Sequence, residues 1–157
     1  MKDQLPTWDQ GDRVGSLRRY GAWFSEKARY EFLAAGTHVE LFLLVSDQGE
    51  VTLLPAFLLP EDKVQRTAAI RQQLQAGAFC GIIHIAEAWL STVSGSLEKQ
   101  EALVISMESR DHDRAYGFHP IVRGKNKVAL GDAVEVRDGV SGLLADWFGG
   151  CGGRGNR

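Results

Sequence analysis

The chain has 157 residues, 44% of them apolar and 24% charged, with a formal charge of −2. That length suits one compact domain with its own core, and the ordinary composition excludes a fibrous repeat or disorder over most of the chain. The near-neutral balance makes no global case for nucleic acid or an anionic membrane, and no apolar run reaches the ~18 residues of a membrane span.

Residues Met1 to Arg13 lack periodicity and read as an arm anchored by Trp8, with no signal-peptide apolar stretch. From Val14 onward, Leu17, Gly21, Phe24, Ala28, Phe32 and Ala35 recur at helical spacing, predicting a helix over about Ser16–Ala35 that stops at Gly36. Gly21 costs ~1 kcal/mol inside a helix, so two shorter helices are an alternative. Val39–Val45 and Val51–Phe57 flank Ser46-Asp47-Gln48-Gly49, a hairpin signal, and Pro55 puts the second strand's end at an edge. Leu59-Pro60-Glu61-Asp62 opens a second helix, with proline at its first position and a stripe at Val64, Thr67, Ile70 or Arg71, and Leu74, ending at Gly77.

Three apolar runs follow: Phe79–Trp89, Glu101–Glu108 and Tyr116–Arg123, joined by polar loops too short for parallel crossovers. Val128–Val136 reads as a short ragged strand, and Gly142–Phe148 as a brief apolar helix or docking segment. Gly149–Arg157 reads as a disordered glycine-rich tail with almost nothing to bury. The expectation is an α+β domain over residues 14–148, in the order α-β-β-α-β-β-β. Its mainly antiparallel sheet of about five strands carries both helices on one face.

Chemistry-bearing residues gather in the central strands: His84, Glu87, Glu108, His112 and His119. Glu87 interrupts an apolar face between Ile85 and Trp89, and a carboxylate there must pair, with Arg71, Arg110 or Arg123, or stay protonated. Asp111, His112, Asp113 and His119 have metal-ligand types. A His-x-His-Pro metal-hydrolase element would need histidine at Gly117 and a later helical aspartate, and neither is present. His84 reads as a satisfied core histidine and Cys80 as a small buried hydrophobe; Cys151 lies in the tail. No nucleophile elbow or phosphate loop occurs. Arg13, Arg18, Arg19, Tyr20 and Trp23, with Lys125 and Lys127, offer a nucleic-acid reading, but helix packing explains the aromatics equally.

Ala86-Glu87-Ala88-Trp89, followed by Glu101-Ala102-Leu103-Val104-Ile105-Ser106 and Glu108, resembles a group of bacterial proteins of unknown function. In these, an E-A-W strand precedes a strand of the E-x-L-x-V-x-x-E type. The resemblance covers the central third of the chain and implies a bacterial or phage setting, with no activity attached. Where such proteins often carry an arginine before the second strand's glutamate, this chain has Lys99-Gln100.

The leading expectation is a non-catalytic protein-interaction or regulatory module, cytoplasmic, without a cofactor, that self-associates. Its ground is that strands apolar on both faces exceed what two helices can cover. The alternative is a small metal-dependent or carboxylate-using enzyme centred on Glu87 and His119.

Overall fold

The structure, a computed structural model, describes residues 3–91, 99–136 and 147–148. Helix α1 runs unbroken from Arg13 to Ala35, so Gly21 does not divide it. Asp12 caps its start by accepting the Gly15 N–H at 2.9 Å. Gly36, at φ 77°, closes it by donating to the Phe32 carbonyl at 2.6 Å. Of the predicted stripe, Leu17, Ala28 and Phe32 are buried, Val14, Gly21 and Phe24 are half-buried and Ala35 is exposed; Tyr20, outside that stripe, is buried as well. The arm is pinned where expected. Trp8 lies 5.2 Å from the Tyr20 ring and donates Nε1–H to the Asp47 carbonyl at 3.3 Å.

Strands β1 (Leu41–Ser46) and β2 (Val51–Pro55) form the expected hairpin, with Gly49 at φ 83° supplying its turn. A single 3₁₀ turn at Ala56–Leu58 then leads to α2 (Lys63–Ala76). Its N-cap is Asp62, which accepts from the Gln65 N–H at 2.9 Å. Pro60 therefore lies before the helix, not at its first position, because the aspartate cap outcompetes proline for the start. Thr67, Ile70 and Leu74 are the buried stripe; Val64, expected in it, is exposed.

Strands β3 (Phe79–Leu90), β4 (Gln100–Ser109) and β5 (Arg114–Arg123) meander antiparallel through the centre. The stretch expected as one ragged strand is two, β6 (Val128–Leu130) and β7 (Val134–Val136), separated at Gly131-Asp132-Ala133 and each paired with β5. The sheet thus has seven strands where about five were expected, in the order β2-β1-β3-β4-β5-β6 with β7 also on β5. Every pairing is antiparallel.

The helices do not share a face. Leu43 and Val45 of β1 pack with Leu17, Tyr20 and Phe32 of α1, whereas Phe42 and Leu44 pack with Ile70 and Leu74 of α2. Successive strand residues point to opposite faces, so the helices sandwich β1 and β3. The physical reason lies in those strands: both of their faces are apolar, and exposing one would forgo about 1.5–3 kcal/mol per large side chain. This arrangement also removes the ground given for self-association, since the central strands are covered internally. Trp147 and Phe148 complete the α2 face, in keeping with a docking segment; most of Gly142–Phe148 and all of the Gly149–Arg157 tail lie outside the described residues.

Candidate functional site

Glu87 sits on the α1 face of β3, near the rim. Its Oε2 accepts the Thr37 hydroxyl at 2.8 Å and the His38 N–H at 3.3 Å, and its Oε1 meets Arg123 at 3.5 Å. Arg123 is one of the three arginines the sequence offered. That guanidinium binds Glu101 more closely, at 2.6 and 2.8 Å, and its hydrogen bond holds the Glu101 carboxyl below the usual range. Glu87 thus ties the segment after α1 to the sheet.

Cross-strand register places Glu87, Leu103 and His119 in one row, with the fully buried Leu103 between the other two. Two strand spacings put Glu87 and His119 about 10 Å apart at the backbone. His119 Nδ1 lies 3.1 Å from the Gly131 carbonyl. The two residues on which the metal-dependent or carboxylate-using alternative centres are thus separated by a strand.

The Asp111-His112-Asp113 turn joins β4 to β5, with His112 at φ 67°. Asp113 is clamped by Arg18 of α1, at 2.6 and 2.8 Å. His119 lies on β5 beyond this turn, and among the described residues no group of three His, Cys, Asp or Glu is placed to hold a metal ion. Cys80 is buried, donates to the Ser46 carbonyl at 3.3 Å, and has its thiol pKa pushed up by burial, which disfavours a nucleophilic thiolate. Tyr20 is taken into the core with its hydroxyl on the Gly49 carbonyl at 3.0 Å. Arg18 is spent on Asp113, and Lys125 and Lys127 lie on the β5–β6 turn.

Two buried polar features were only half visible in the sequence. His84 stacks on Phe42, with ring centres 4.3 Å apart, and its Nε2 lies 3.2 Å from Glu40 Oε1. Arg66 joins the same oxygen at 3.4 Å. The His84 hydrogen bond, more than the charges of His84, Arg66 and Lys63, holds the Glu40 carboxyl below its ordinary value. His84 Nδ1 is buried with no hydrogen-bond partner among the described residues, so the core histidine is only half satisfied. Glu40 was not singled out because its partner is 44 residues away. Glu108, also buried, accepts the Trp147 N–H and so docks the later segment.

A solvent-open cleft of about 430 Å³ lies between α1 and the β4–β5–β7 region, with Gly21, Met107, Gly117, His119 and Val134 among its lining. Glu87 is not part of it.

Exposed large apolar side chains are spread over the molecule, Tyr30, Trp89, Val122 and the cleft's own Val134 among them, and several are grouped at the β2 end of the sheet. β2 is the sheet's edge, and Val51–Leu59 (VTLLPAFLL) contains no charged side chain. Within and just beyond it, Leu53, Phe57, Leu58 and Val64 are 58%, 74%, 71% and 72% exposed. Edge strands are ordinarily blunted by charge, proline or cover; here Pro55 is the only such device within the strand. No helix among the described residues is long and apolar enough to cross a membrane. No family model, curated protein or solved structure matches the chain.

Proposed function

We propose that the chain is a non-catalytic protein-interaction module that self-associates through the β2 edge and the 3₁₀ turn after it. The observation that carries this reading is the uncharged run Val51–Leu59 on an edge that pairs with no further strand among the described residues, with Leu53, Phe57 and Leu58 mostly exposed. Exposed apolar side chains grouped along one segment are the kind of surface that serves interaction, and a sheet edge offers backbone hydrogen bonds as well. A reducing cytoplasm suits the buried free thiol of Cys80. The bacterial or phage setting rests on the Glu87-to-Glu108 resemblance. The enzymatic alternative keeps one supporting fact, that His119 borders the cleft.

Sedimentation of the wild type against a Phe57→Ser/Leu58→Ser variant tests this reading. Both side chains are exposed, so the variant folds with little change in stability, and its association weakens. Equal association in both proteins removes the β2 region from the reading.

A further inference from the structure

From the hydrogen-bond parity of the hairpin we infer that the partner at this edge is a second copy of the chain. The two β2 strands pair antiparallel with Leu53 on the twofold axis. This rests on the interaction reading above and gives it an occupant and a register.

The parity follows from two bonds that bracket the hairpin. Ser46 N–H donates to the Glu50 carbonyl at 2.8 Å, and Ala56 N–H donates to the Glu40 carbonyl at 3.0 Å. The register between them pairs Leu44 with Thr52 and Phe42 with Leu54. Antiparallel ladders alternate, so Thr52 and Leu54 spend their backbone groups on β1 while Val51, Leu53 and Pro55 turn theirs outward. The open edge therefore presents donors at Val51 and Leu53, and acceptors at Val51, Leu53 and Pro55, which has no N–H.

That set is self-complementary about Leu53. Leu53 exchanges both its bonds with Leu53 of the second copy, and each Val51 N–H meets the Pro55 carbonyl opposite. Every outward donor is used, and the proline faces a donor where it can only accept. All of β2 overlaps in this register. A shift that puts Thr52 on the axis also uses the donors, but sets Pro55 against the Gly49 turn, whose N–H is already bonded to Ser46. Isologous pairing of this kind closes on itself and yields a dimer, not a fibre. It also covers Leu53, which lies on the α1 face opposite Leu43.

Single-cysteine oxidation reads the register directly, in a Cys151→Ser background that retains the buried Cys80. Residues facing each other on the axis come within disulfide range. Leu53→Cys is expected to cross-link at least about tenfold faster than Thr52→Cys, which is equally on the exposed strand but off the axis. Faster cross-linking at Thr52→Cys overturns the register. A dimer in sedimentation with no preference between the two positions overturns strand pairing but leaves the interaction reading standing. A monomer at every concentration overturns the second copy as occupant and leaves an extended segment of another protein for that edge.

Discussion

Glu108 Oε2 accepts the backbone N–H of Trp147 at 3.0 Å, although its side chain is only 1% exposed and sits in the central strand of the sheet. The other oxygen is 3.6 Å from Arg114. The Trp147 ring meets Phe42 edge-on at 5.7 Å, so one carboxylate seats a segment 39 residues later in the chain. A buried carboxylate is tolerated here because a donor and a cation both face it.

Glu108→Gln keeps an acceptor for Trp147 but takes the negative charge from beside Arg114. The expected loss is about 2–3 kcal/mol, below the full cost of breaking a buried pair because Arg114 is partly exposed. Urea unfolding measures it; a loss under ~0.5 kcal/mol would mean that packing alone seats Trp147.

The same segment separates two truncations. Deleting Gly149–Arg157 is expected to leave the melting temperature almost unchanged, because that stretch has little apolar surface to bury. Trp147→Ala empties a site against Phe42 and should cost about 3–5 kcal/mol. Comparable effects from both changes would show that the tail is docked as well.

Glu87→Gln is expected to cost about 0.5–1 kcal/mol, reduced by solvent screening of its partly exposed pair with Arg123. Glutamine still accepts from Thr37 and His38, and Arg123 keeps Glu101. A gain in stability, measured by chemical denaturation, would mark Glu87 as a strained functional group and restore the enzymatic reading.

Gly49→Ala meets two obstacles. Its φ of 83° is strained for alanine, and the added Cβ would overlap the Trp8 ring. A loss of about 1–3 kcal/mol is expected, with a red shift of tryptophan emission as Trp8 leaves Tyr20. An unchanged spectrum would show that the arm does not depend on this turn.

Glu40 gives a pH dependence of definite sign. Its folded pKa lies below the unfolded value, chiefly through the His84 hydrogen bond. Between those values the unfolded state binds more protons, so stability rises with pH. The contribution is present above the ordinary carboxylate range and is lost as pH falls through the depressed folded value. Glu101 adds the same sign through Arg123. Stability measured from neutral to acid pH should therefore fall less steeply in Glu40→Gln; parallel curves would remove Glu40 as a source.

Local rules determined much of the chain. The stripe from Leu17 to Phe32 and the stop at Gly36 give α1, Asp47 to Gly49 gives the first hairpin, and the apolar runs at Phe79, Glu101 and Tyr116 give the central meander. Each depends on neighbours within a few residues, where steric and hydrogen-bonding preferences act without the rest of the protein. Tertiary structure decided the remainder. The stripe Thr67, Ile70 and Leu74 shows that α2 buries a face, but not which side of the sheet receives it; Phe42 and Leu44 settle that by needing cover opposite α1. Glu87 and His119 look like neighbours in chemistry, yet the register puts Leu103 between them. His84 finds Glu40, and Glu108 finds Trp147, across about 40 residues of chain. Such partners are chosen by strand order and register, and no local preference encodes either of them.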